Sequence, residues 1–86
     1  MARLQFTAQL RRFTDTPDVE VDAPDLATAL DAAFALNPRL RGYVLDDQGQ
    51  LRPNVAAFVD GTRTLNVNHA LQPHSQVHVL QALSGG

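Results

Sequence analysis

Near its start the chain alternates between apolar and polar residues. Over positions 2–13, Leu4, Phe6, Ala8 and Leu10 fall on one face, and Arg3, Gln5, Thr7, Gln9 and Arg11 on the other. A period of two predicts a half-buried strand. Asp15 to Asp18, with Pro17 among them, reads as a turn. Val19 and Val21 then alternate with Glu20 and Asp22, which predicts a returning strand and so a hairpin.

After Pro24 the period changes. Leu26, Leu30, Ala33 and Phe34 recur at the spacing of one helical face. Asp25 stands where an N-cap would accept free first-turn amides, and Asn37-Pro38 is a stop signal. A helix this short and rich in alanine needs a sheet to lean on.

Two short apolar runs follow in RLRGYVLDDQGQL, separated by Asp46, Asp47 and Gly49. Adjacent aspartates can serve as a catalytic carboxylate pair, but ahead of Gln-Gly they read as a solvated turn. Further on, Val55, Ala57 and Val59 share one face of a strand, and Ala56, Phe58 and Asp60 the other. Asp60-Gly61 is a strong hairpin signal, with Leu65 and Val67 expected in the returning strand. A last strand sets Val77, Val79 and Gln81 against His78, Leu80 and Ala82. The order is β-β-α-β-β-β with a lone helix in the middle. This predicts an α+β fold: a mixed sheet with one main helix packed on one face.

Composition narrows the function. The 86 residues make one small domain of net charge −2, which argues against a nucleic-acid partner. No apolar run is long enough for a membrane span, and the start of the chain lacks the pattern of a signal peptide, so the expected location is cytoplasmic. Cysteine is absent, which excludes disulfides, thiolate metal sites and a cysteine-borne persulfide. Lysine is absent too, and all seven basic residues are arginine. A chain that activates its own carboxylate would be safer without amine nucleophiles; a general preference for arginine codons gives the same composition.

No phosphate-binding glycine loop and no nucleophile elbow occurs. His69, His74 and His78 are spaced H-x4-H-x3-H across a loop and a strand. That is poor metal-ligand spacing without a nearby acid, so no metal site is expected. If the valines of the last strands face the helix, Phe58 and Leu80 face solvent beside His78, an exposed apolar pair suited to protein contact.

These features carry a resemblance. The strand order, the string LxxxVxxFVDG (Leu51, Val55, Phe58, Val59, Asp60, Gly61) and the terminal VHVLQALSGG resemble the MoaD/ThiS family of sulfur-carrier proteins over essentially the whole chain. Relatives often carry a proline near Gln81, and an acidic DGD turn where this chain reads Pro73, His74, Ser75. The resemblance implies a ubiquitin-like β-grasp domain over residues 1–83 and a flexible tail over 84–86.

It also implies a function. The carboxyl of Gly86 would be adenylated by an ATP-using adenylyltransferase related to the ubiquitin-activating enzymes. It would then become a thiocarboxylate that donates sulfur in molybdopterin, thiamin or cysteine biosynthesis. Gly85, Ser84 and Leu83 would form the tail that threads into the partner, where glycine's small width and free torsions suit a narrow channel. Phe58 and Leu80, with His78 at the border, would be the docking surface. The implied partners are the adenylyltransferase, a sulfur-donor enzyme and an acceptor synthase subunit. The chain itself would bind no cofactor and act as a co-substrate, not an enzyme. The alternative is a ubiquitin-like modifier joined through Gly86 to lysines of other proteins.

Overall fold

The computed structural model describes residues 1–6, 16 and 18–81. The later half of the predicted first strand (Thr7, Ala8, Gln9, Leu10, Arg11), Asp15 and Pro17 of the turn, and Ala82, Leu83, Ser84, Gly85 and Gly86 lie outside them. In chain order the elements are β1 (Ala2–Phe6), β2 (Val19–Val21), α1 (Leu26–Leu36), α2 (Pro38–Val44), β3 (Val55–Val59), β4 (Thr62–Thr64) and β5 (Gln76–Gln81). The strands form one mixed sheet in the order β2-β1-β5-β3-β4. β1 and β5 run parallel, and the other neighbours are antiparallel.

β5 is therefore central, with the first strand on one side and β3 on the other. Its inward valines, Val77 and Val79, are fully buried. They pack in one core with Leu4 and Phe6 of β1, Val55, Ala57 and Val59 of β3, and Leu26, Leu30, Ala33 and Phe34 of α1. Each of these positions matches the inward face expected from the sequence periods.

Helix α1 begins as its first residues require. Asp25 is the N-cap, and its carboxylate accepts from the Thr28 amide at 2.9 Å. The amides of Leu26 and Ala27 donate to the carbonyls of His69 and Val67 at 3.0 and 2.7 Å. The donors that a helix start leaves open are thus taken by its own cap and by the loop after β4. The Leu71 amide donates to Pro24 O at 2.9 Å, closing the same junction.

Two expectations are corrected. The helix is not alone: Pro38–Val44 forms a second helix, α2, which buries Leu40 and Val44. Proline ends α1 because it cannot continue a helix, yet its fixed φ suits the first position of a new one. Asn37 serves both, ending α1 and capping α2 through its side chain, which accepts from the Arg39 amide at 3.3 Å. The strand after the Asp60-Gly61 turn is also shorter and earlier than expected. It covers Thr62–Thr64, while Leu65 is exposed and Val67 is buried in the following loop. The reason is the two-residue turn. Asp60 at φ 51 and Gly61 at φ 85 let Thr62 pair at once with Val59. Beyond Thr64 its hydroxyl accepts from the Asn66 amide at 3.1 Å, and the Asn66 side chain accepts from the Asn68 amide at 2.9 Å. Local bonds of this kind turn the backbone away from a ladder.

Candidate docking face and tail anchor

The helices cover one face of the sheet, and the alternate residues of the same strands make the other. Direct pairings fix who stands beside whom. Gln5, His78, Phe58 and Arg63 form one row across β1, β5, β3 and β4. Leu80 and Ala56 form the next, and Arg3 stands between Gln76 and Glu20. Phe58 and Leu80 are thus diagonal neighbours on adjacent strands, roughly 7–8 Å apart by ordinary sheet spacing and within reach of contact. Both are half-buried, a correction to the exposed pair expected from alternation, because neighbours on adjacent strands of one face cover part of each other; Ala56 is half-buried too, while His78 and Arg63 are exposed. The sequence reading placed Phe58, Leu80 and His78 on one face, and the register brings all three together.

The charge around this apolar centre is lopsided. Arg3 and Arg63 lie on the face, and among the described strand residues its one acid is Glu20, opposite Arg3.

β5 ends at Gln81, which pairs with Val55 at the beginning of β3. The last described residues therefore lie at the end of the sheet where Leu80 and Ala56 sit. Gly86 is five residues on from Gln81, so the chain can carry the glycine no further than about 17 Å from that point.

At the opposite end of β5 is a polar node that the sequence reading missed. The Asp60 carboxylate accepts from the Gln76 amide and from the Ser75 hydroxyl, each at 2.8 Å. The Asp60 amide returns a bond to Gln76 O at 2.8 Å. Ser75 is 1% exposed, and its oxygen also accepts from the Gln72 amide at 2.8 Å. The bonds from Gln76 and Ser75, with a smaller contribution from His69, hold the Asp60 carboxyl below its ordinary range. This is how Pro73-His74-Ser75 closes the turn without an acid of its own. The contact spans fifteen residues, and neither residue type announces it.

The other candidates resolve into structure. Asp46 closes its own turn, accepting from the amides of Gln48 and Gln50 at 2.9 and 3.0 Å beneath a bridge between Leu45 and Leu51. Asp47 is exposed in that turn, so the pair is a turn and not a catalytic dyad. His69 lies in the loop above α1, His74 in an exposed turn, and His78 on the open face. Among the described residues no group of three metal-ligating side chains converges, and no helix is long and apolar enough to cross a membrane.

No family model and no curated protein matches the chain. Solved structures do. It superposes on SAMP1 from Haloferax volcanii with a TM-score of 0.78 and 24% identity, over 99% of this chain and 98% of that one. The small archaeal modifier protein 1 of Methanosarcina acetivorans matches at 0.78 and 17% identity, over 99% and 95%. A chain of the BexX/CysO complex of Amycolatopsis orientalis matches at 0.83 with 13% identity, over the whole length of both. The sheet order, the helix layer and these end-to-end superpositions together give the chain the ubiquitin-like β-grasp fold.

Proposed function

We propose that the chain is a sulfur carrier whose working group is the carboxyl of Gly86. The observation that carries this reading is the position of β5. The strand leading to Ser84-Gly85-Gly86 is the buried centre of a β-grasp sheet, so the fold serves as a rigid handle for the end of the chain. The resemblance of VHVLQALSGG to the MoaD/ThiS carriers supplies the chemistry.

A carboxylate is a poor electrophile. Attack of its oxygen on the α-phosphorus of ATP releases pyrophosphate and leaves an acyl adenylate. Sulfur at the oxidation level of sulfide then attacks the carbonyl. The carbon–sulfur bond forms, the bond to AMP breaks, and a thiocarboxylate remains. The chain has no cysteine, so it carries sulfur only at this carbonyl. It works as a co-substrate of an ATP-using adenylyltransferase, a sulfur donor and a sulfur-accepting enzyme, in the cytoplasm where ATP is made available. Phe58, Leu80 and His78 form the surface on which the adenylyltransferase docks, and Leu83 to Gly86 reach its active site. A partner for a chain of this fold has a precedent in the BexX/CysO complex.

A second reading is favoured by the name of two of the structural neighbours, small archaeal modifier protein 1. In it the activated Gly86 joins a lysine of another protein. One experiment separates the readings: incubation with ATP, the activating enzyme of the host and a sulfide donor, followed by intact-mass analysis. A gain of about 16 mass units, sulfur for oxygen, is the carrier's signature. Adducts that resist reducing agent and map to lysine are the modifier's. No modification of either kind contradicts both.

A further inference from the structure

The sheet has two edges, β2 and β4, and each is a three-residue strand with one charged residue at its middle. β2 reads Val19-Glu20-Val21 and β4 reads Thr62-Arg63-Thr64. Glu20 and Arg63 are both exposed, and the register puts both on the open face.

The hydrogen bonds fix which way their backbone groups point, because successive residues of a strand turn N–H and C=O to opposite sides. The Arg3 amide donates to Ser75 O at 2.9 Å, so Arg3 turns to β5, and Ala2 and Leu4 turn to β2. Their partners Val21 and Val19 answer them, and Glu20 between turns its amide and carbonyl to the free edge. On the other side the Asp60 amide donates to Gln76 O at 2.8 Å. Asp60 and Phe58 therefore turn to β5, and Val59 and Ala57 bond Thr62 and Thr64. Arg63 is left with its amide and carbonyl outward. Among the described residues, no loop or cap bond takes the amide or carbonyl of Glu20 or Arg63.

Strand direction completes the match. β4 runs the same way as β1 and opposite to β2. A second copy set alongside, with its open face on the same side, brings its β2 antiparallel to β4 of the first. With Glu20 opposite Arg63, the two residues can exchange both backbone bonds, and their opposite charges stand side by side. Like edges do not fit. β2 on β2 sets Glu20 against Glu20, and β4 on β4 sets Arg63 against Arg63, where like charges repel.

We infer that the two edges are complementary docking strips for a second copy of this chain, joined head to tail through Glu20 and Arg63. Each added copy leaves one β2 and one β4 free, so the association is open-ended. Edges this short make a weak contact, which belongs to concentrated protein and loosens in salt. It uses neither the apolar pair Phe58 and Leu80 nor the end of the chain, so it stands apart from the sulfur-carrier reading.

The test is sedimentation velocity over rising concentration, at low and high salt. The samples are the natural chain, Glu20→Arg, Arg63→Glu and an equal mixture of the two variants, with thermal midpoints to check folding. At low salt the average mass of the natural chain should climb past twice the single-chain value, and high salt should reverse it. Each variant alone carries one sign of charge on both edges and should stay single. Their mixture should associate again, because each variant then meets the opposite charge on the other. The amide resonances of Glu20 and Arg63 in the natural chain should shift with concentration, which tests the contact without any substitution. A natural chain that stays single, or stops at twice its mass as a closed dimer, would overturn the inference. So would a folded single variant that associates like the natural chain, a folded mixture that stays single, or edge amides that do not move.

Discussion

The two faces of the sheet are cut from the same strands by alternate residues, and they differ in what covers them. Inward, Val55, Ala57, Val59, Val77 and Val79 are at most 4% exposed and have lost their water to α1. Outward, Ala56, Phe58, His78 and Leu80 stand in register with them and have no helix above. The difference lies in what a substitution disturbs. An inward change removes packing from a core of a few elements, whereas an outward change alters the open face and leaves that core in place. Under the proposed function, holding the fold and meeting a partner fall to alternate residues of one strand, β5.

The largest expected effect is on the covered face. Phe34 projects from α1 into the core and is 6% exposed, so Phe34→Ala should cost about 3–5 kcal/mol. Chemical denaturation measures it, and an unchanged midpoint would remove Phe34 from the core. Next comes the node at the base of β5. Ser75→Ala strips a partner from the Gln72 amide and from Asp60, and should cost about 1–3 kcal/mol. A neutral result would mean that backbone bonds alone hold the turn.

The same node gives a pH dependence of definite sign. Native bonding lowers the Asp60 carboxyl below its ordinary 3.8, so the unfolded chain binds its proton first as pH falls. The stabilisation is whole above that ordinary value and is lost as pH drops through the lowered native one. Asp25 behaves likewise, through its bonds with Thr28. Asp60→Asn should flatten part of the acid slope seen in thermal midpoints measured from neutral pH downward. An identical slope would place the acid sensitivity elsewhere.

The smallest effect on stability is expected on the open face. Phe58→Arg and Leu80→Arg should shift the thermal midpoint little while weakening binding to the activating enzyme. Normal binding by the well-folded double variant would break the division of labour between the faces.

What the sequence made legible was local. Helix α1, its Asp25 cap and the Asp60-Gly61 turn follow from spacing within a few residues. The inward valines follow from a period of two. Helix α2 escaped because Asn37-Pro38 is both a stop and a start. The strand after Gly61 was misplaced because the apolar alternation lies at Leu65 and Val67, whereas the tight turn pairs the polar run Thr62–Thr64 with β3. Pairing of β1 with β5 was out of reach, since the two strands lie some seventy residues apart and nothing in either names the other. The Asp60–Ser75 contact was hidden for the same reason. That Phe58, Leu80 and His78 share a face was legible because alternation places residues on a face without knowledge of their neighbours; their common row and diagonal came from the register.

The central claim is that the folded domain is a handle and Gly86 the group that reacts. The most direct measurement compares the full chain with one lacking Gly86, each given ATP, the activating enzyme and a sulfide donor. Removing the residue draws the carboxyl back by roughly 3.5 Å, and a displacement of even about 1 Å can cost a hundredfold in rate. The full chain should gain about 16 mass units and the shortened one none, with the two melting at the same temperature. Equal gain by both would place the chemistry elsewhere in the chain and contradict the account.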